Sequence, residues 1–283
     1  MRADVSLVDE LVRTQFPHWR GLPITQLKHG GTDHAIFRLG DELAVRLPLI
    51  EWAKDQAERD FVTLPRLAAH LPVAVPEPLE LGEPTENYPY RWSVVRWLSG
   101  SLAAVDEVDE NTAIRLAEVI QALHEVDTAG EPWTTYCGRL DQSDSDGRVR
   151  SAIALLGGDP RLPALWQDVL AAPRWEGPGR WLHADLHQGN LLFTDGELTG
   201  VIDWGCAGVG DPAGDLMAAW MYLDERGRKA FKRELNFDDA TWLRAQGWAL
   251  ELAVEELPHY REHNPFLARI ADHTLAQLAQ SFY

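Results

Sequence analysis

Between Trp181 and Gly205 the chain sets three oxygen-bearing side chains, Asp185, Asn190 and Asp203, at a spacing that can do chemistry. Leu191 to Thr194 and Leu198 to Ile202 read as two short apolar strands. Asp195-Gly196 between them is a hairpin turn, because glycine takes the positive φ that such a turn needs. The hairpin carries the polar stretch His183 to Asn190 at its entrance and Asp203 at its exit. Folding back brings the two carboxylates and the carboxamide toward one edge, with Gly189 and Gly205 leaving room for a ligand. Phosphoryl transfer needs such a set. One carboxylate orients an attacking hydroxyl and accepts its proton. A carboxamide and a second carboxylate hold Mg²⁺, a hard cation that prefers oxygen, against nucleotide phosphates. The alternation His183-x-Asp185-x-His187 would also suit a transition metal such as Zn²⁺. A zinc site, however, accounts for neither Asn190 nor the hairpin nor Asp203.

The Asp-x-x-x-x-Asn spacing of Asp185 and Asn190 is that of the kinase catalytic loop, and Asp203-Trp204-Gly205 stands where kinases have Asp-Phe-Gly. The stretch resembles the aminoglycoside phosphotransferase family, small-molecule kinases whose loop reads His-Gly-Asp-x-His-x-x-Asn; here Ala184 replaces the glycine. The resemblance implies an α+β, bilobal protein-kinase-like fold. Residues 1–97 would form a small antiparallel-sheet lobe that binds the nucleotide, and residues 98–283 a mainly helical lobe for catalysis and the acceptor. It implies Asp185 as base or orienting group and Asn190 and Asp203 as Mg²⁺ ligands. His187 falls to the support of the loop near the γ-phosphate, with His183 and Asp215 as structural support. ATP is the implied co-substrate, ahead of GTP. The acceptor would be a hydroxyl of a small molecule, either an aminoglycoside or amino sugar, or a choline-like alcohol of metabolism. A kinase-shaped module that binds nucleotide without turnover is the rival from another class, and intact Asp185, Asn190 and Asp203 speak against it.

Other elements must position these groups. Asp4 or Ser6 can cap a first helix with Leu7, Val8, Leu11, Val12 and Phe16 on one face, ended by Pro17. Strands follow at 24–27, 35–39 and 43–47. The loop between the first two, His29 to His34, holds Gly30, Gly31 and Thr32, and glycine-rich backbone lets N–H groups approach phosphate closely. Arg46 lies among apolar neighbours on the third strand, where a charge needs a partner. By resemblance it grips the α- and β-phosphates in place of the usual lysine. Its partner belongs on the next helix, about residues 51–70, whose buried face is read as Phe61, Leu64 and Leu67. The family's Glu-x-x-x-Leu spacing points to Asp60, with Glu58 as the second candidate. A strand over 90–98 leads into Ser99-Gly100. By the family's pattern the backbone of Arg96 and Leu98 would meet the adenine edge, with Val95 at the back of the pocket.

Beyond the hinge the pattern turns helical, with helices read near 111–123, 147–156, 162–171, 225–235, 239–257 and 263–281. Asp211-Pro212-Ala-Gly-Asp215 reads as a further helix start, proline in the first turn and acids at the positive end. The cations of Arg226 to Arg233 read as a solvated helix face. The formal charge of −18 argues against a nucleic-acid phosphate surface, which would need a basic stripe. It is uneven: 11 Lys/Arg against 14 Asp/Glu over residues 1–97, a net of −3, and 15 against 30 beyond, a net of −15. No apolar run is long enough to span a bilayer, and the N-terminus does not read as a secretory signal. Two cysteines, Cys137 and Cys206, build no disulfide framework and fit a reducing, cytoplasmic setting.

Overall fold

The structure, a computed structural model, describes residues 3–27, 33–103, 110–134, 142–157 and 159–280. The chain divides into two compact units, Met1–Gly100 with Gly200–Gly205, and Ser101–Thr199 with Cys206–Tyr283.

The first unit opens with α1 (Val5–Gln15). Asp4 caps it, accepting from the backbone N–H of Leu7 at 3.0 Å, and Val8, Leu11 and Val12 form its buried stripe. Next come β1 (Ile24–Gln26), β2 (His34–Leu39), β3 (Leu43–Pro48), α2 (Gln56–Ala68), β4 (Pro78–Gly82) and β5 (Trp92–Arg96). The strands make one antiparallel sheet in the order β1-β2-β3-β5-β4. Lying centrally, β3 is buried along its whole length, and Arg46 sits opposite Ile36 on one side and Ser93 on the other. Phe37, Leu39, Val45, Leu47, Tyr88, Trp92 and Val94 fill the core. The packed face of α2 runs Gln56, Ala57, Asp60, Leu64 and Leu67. Phe61 is not part of it and is 38% exposed, against the sequence reading. At about 100° per residue, one step past Asp60 swings that ring off the contact stripe. Residues 200–205 join this unit through a parallel bridge from Gly200 to Ala74 and a 2.9 Å bond from Val201 N–H to the Ala74 carbonyl.

The second unit holds β6 (Ser101–Leu102), α3 (Glu110–Glu125), α4 (Gln142–Leu156), α5 (Arg161–Ala171), β7 (Arg180–Leu182) and β8 (Leu191–Thr194). It continues through most of β9 (Glu197–Val201), then β10 (Gly208–Gly210), the short helices α6 (Ala213–Leu216) and α7 (Ala218–Met221), and α8 (Glu225–Glu234), α9 (Asp239–His263) and α10 (Pro265–Gln280). Small sheets β6-β8-β9 and β10-β7 flank the catalytic stretch in sequence. Asp195 and Gly196 have φ of 52° and 84°, the two positive values of a type I′ hairpin. Two readings change here. Helix α9 continues through Pro258 to His263, beyond the expected end at 257, because Ala253 and Leu257 pack against Ala268 and Ala271 of α10. Arg228 is buried rather than solvated, donating to the carbonyls of Ala219 and Leu223 and to Gln277 Oε1. Among the described residues, no helix is long and apolar enough to cross a membrane.

Candidate active site

In the second unit β7 delivers the chain into the His183–Asn190 loop, and Asp215 braces it. Its wholly buried carboxylate accepts the backbone N–H of His183 at 3.0 Å and of Ala184 at 2.7 Å through Oδ1. Oδ2 faces His124 Nε2 at 3.0 Å. Two successive N–H groups converge on one oxygen because Ala184 is left-handed, with φ of 63°. That conformation costs a non-glycine residue about 1–2 kcal/mol. The alanine thus keeps the backbone shape that a glycine would adopt freely.

Each loop histidine spends Nδ1 on the backbone. His183 Nδ1 accepts from Asp185 N–H at 3.2 Å, and His187 Nδ1 from Gly189 N–H at 3.0 Å. A neutral His187 therefore carries its proton on Nε2, which lies 3.5 Å from Asp185 Oδ1. Asn190 Nδ2 donates to the Asp185 carbonyl at 2.8 Å and to its Oδ2 at 2.9 Å. The Asp185 carboxylate is thereby oriented from both oxygens. Asn190 Oδ1 takes no hydrogen bond among the described residues and remains a hard oxygen donor of the kind Mg²⁺ uses. No group of three or more His, Cys, Asp or Glu among the described residues is arranged to hold a metal.

In the first unit Arg46 is buried and forks between two acids, Nη1 to Asp60 Oδ2 at 3.3 Å and Nη2 to Asp203 Oδ1 at 3.2 Å. Glu58, the other candidate, pairs with Arg91 at 2.8 Å instead. Burial pushes the Asp60 carboxyl above the usual carboxylate range, against the pull of Arg46 and Arg59. Asp203 is left-handed, with φ of 61°, and its side chain is 40% exposed. The next residue, Trp204, is pinned by a 3.0 Å bond from its indole N–H to the Val201 carbonyl. Arg59 donates to the Gly205 carbonyl. His34 is held neutral, its pKa pushed down to about 3 by burial first and then by Arg46 and Arg59, with Asp203 pulling the other way. At the hinge, Arg96 N–H is bonded to the Glu77 carbonyl at 2.8 Å and Trp97 N–H to the Glu42 carbonyl at 2.7 Å. Leu98 N–H makes no hydrogen bond among the described residues. Gly30, Gly31 and Thr32 lie outside the described residues.

Sequence reasoning passed over His34, Gln56, Arg59 and His124. Gln56 and Arg59 stand one turn and one residue before Asp60 on α2, so helical spacing held a signal for both. For His124 there was none, because its partner lies 91 residues away.

Residues 23–248 match the model of the phosphotransferase enzyme family. The chain belongs to that family. This phosphotransferase is a small-molecule kinase with an alcohol group as acceptor. It is 28% identical to the thiamine kinase of Shigella boydii serotype 4 (strain Sb227) over 232 residues, 78% of this chain and 73% of that protein. Its fold is the protein-kinase-like fold of solved aminoglycoside and macrolide phosphotransferases. The GDP and kanamycin complex of APH(2")-IIIa superposes with a TM-score of 0.77 at 19% identity, over 98% of this chain and 99% of that one. A macrolide 2'-phosphotransferase type I does so with a TM-score of 0.64 at 20% identity, over 98% and 97%.

Proposed function

We propose that the phosphotransferase moves the γ-phosphate of ATP to a hydroxyl of a small, amino-bearing alcohol or amino sugar. The observation that carries this reading is the orientation of Asp185. Asn190 Nδ2 fixes one carboxylate oxygen and His187 Nε2 lies beside the other. A carboxylate so held can orient an incoming hydroxyl and take its proton as the oxygen attacks phosphorus. Arg46 supplies a fixed positive charge for the nucleotide phosphates, Asp60 keeps its fork in place, and Leu98 N–H is available to an adenine edge. Asn190 Oδ1 and the Asp203 carboxylate are the oxygen donors that would hold Mg²⁺, which when bound neutralises charge developing on the phosphates. The kinship with a thiamine kinase puts a heterocyclic primary alcohol among the acceptors to test.

The test is a phosphorylation screen with MgATP and MgGTP across aminoglycosides, macrolides, amino sugars, choline-like alcohols and thiamine. Turnover of at least one, lost in Asp185→Asn with nucleotide binding retained, is the expected result. Nucleotide binding without turnover of any acceptor, or of water, would leave the non-catalytic module as the better reading. Turnover confined to uncharged acceptors would remove the amino-bearing half of the proposal.

A further inference from the structure

Helix α2 reaches the turn Asp203–Gly205 from three successive points on one face. Asp60 acts through Arg46, whose other nitrogen holds Asp203, and Arg59 donates to the Gly205 carbonyl. One turn earlier on the same face stands Gln56, 2% exposed, with its amide laid over Gly205. A Cβ on Gly205 would stand 2.6 Å from Gln56 Oε1, so the glycine is what admits the amide. Unlike Arg59 and Asp60, Gln56 makes no polar contact among the described residues: neither its Oε1 nor its Nε2 has a hydrogen-bond partner there. Packing an apolar side chain there would need no such concession, since a buried amide without partners is destabilising. An idle buried amide points to a partner that arrives with a ligand.

We propose that Gln56 is a positioning residue for the metal-holding carboxylate of Asp203, its amide acting in the outer shell of the ion. The inference rests on the reading of Asp203 as a Mg²⁺ ligand. A small hard cation such as Mg²⁺ keeps several waters, and those waters need acceptors and donors in the protein around them. Gln56 carries both kinds of atom and lies against the residue two positions after Asp203. Asp203 itself is left-handed, so its aim depends on neighbours that hold the turn. In the nucleotide-free protein Gln56 contributes shape alone. With nucleotide and metal bound, its amide gains its hydrogen bonds and stiffens the turn.

Gln56→Met keeps length and volume and removes only the amide. Two readouts separate positioning from packing: calorimetric titration of ADP at a series of Mg²⁺ concentrations, and thermal melting of the nucleotide-free chain. The Mg²⁺ concentration for half-maximal enhancement of ADP binding should rise about 10–100-fold, the usual effect of losing an outer-shell partner. ADP affinity without Mg²⁺ should stay the same, and the melting temperature should hold or rise. An unchanged Mg²⁺ midpoint, or a shifted midpoint accompanied by a lower melting temperature, would overturn the proposal. Gln56→Leu, read the same way, serves if the methionine variant fails to fold. Asp203→Ala is run in parallel and should abolish the Mg²⁺ dependence. If it does and Gln56→Met does not shift the midpoint, Gln56 alone is misassigned. If Asp203→Ala keeps the wild-type dependence, the metal reading falls and the role of Gln56 falls with it.

Discussion

Replacing Asp215 by alanine and by asparagine should give two sharply different proteins. The carboxylate accepts two buried backbone N–H groups, at 3.0 and 2.7 Å, and faces His124 Nε2 at 3.0 Å. Alanine leaves all three groups without their partner where water does not reach. Each stranded buried donor costs about 1–3 kcal/mol, so Asp215→Ala should lose roughly 3–9 kcal/mol. Against a total stability of about 5–15 kcal/mol, that brings the chain near or past its unfolding limit at 37 °C. Asparagine is different. Its Oδ1 can keep both N–H bonds, though without the charge, and its Nδ2 would face His124. Among the described residues His124 Nδ1 has no hydrogen bond to lose, so the ring can move its proton there and offer Nε2 as acceptor. Exchanging two charge-assisted bonds for neutral ones costs about 1 kcal/mol each, hence about 2 kcal/mol in all. For a chain of this size that is a fall in Tm of about 4–8 °C. Thermal melting by circular dichroism measures both, and single-turnover phosphorylation reports on the loop. Equal losses for the two variants, or an alanine variant as stable as wild type, would refute the bracing role of the carboxylate.

Arg46→Met should destabilise the chain by about 3 kcal/mol, because Asp60 stays buried without its cation, and should weaken nucleotide binding at least tenfold; Arg46→Lys should fall between, keeping the charge but not the fork. Denaturant titration and nucleotide calorimetry check both halves. With a folded pKa of about 3 against 6.5 unfolded, His34 makes the unfolded chain bind the extra proton, so its stabilising contribution is lost as pH falls from 6.5 toward 3. At pH 5 the loss is about 2 kcal/mol, and a His34→Gln variant should show a flatter acid limb in a melting-temperature profile. Asp60 works with the opposite sign, since its raised folded pKa favours the folded state as pH falls, and it is present in both proteins. Asp203→Asn should halve the charge that faces Arg46 and reduce Mg²⁺-dependent ADP affinity while leaving the nucleotide-free stability within about 1 kcal/mol of wild type, as befits a 40%-exposed side chain. A variant that titrates Mg²⁺ like wild type contradicts this.

What could be read locally was read correctly where short-range chemistry decides. The Asp195-Gly196 turn, the capped first helix at Asp4, the burial of β3 around Arg46 and the packing of Leu64 and Leu67 follow from positive φ, capping and hydrophobic period. The Asp185–Asn190 spacing likewise defines a loop whose two ends can bond to each other, and Asn190 does reach Asp185. Partner choice was another matter. Asp60 and Glu58 are two residues apart, and only the packed position of α2 sends one to Arg46 and the other to Arg91. Arg46 meets Asp203 across 157 residues, and His124 meets Asp215 across 91. Phe61 and Arg228 ended on the opposite side of the surface from the one their residue types suggest. Local pattern reports the period of an element and the conformation a residue prefers. Which long side chains share a buried space depends on how whole elements pack, and there the cost of stranding a charge or a polar group selects the pairing. So the sequence by itself determined the loop, the turn and the elements that carry the site. Tertiary packing decided which acid faces Arg46, that His124 backs Asp215, and that the amide of Gln56 lies idle over Gly205.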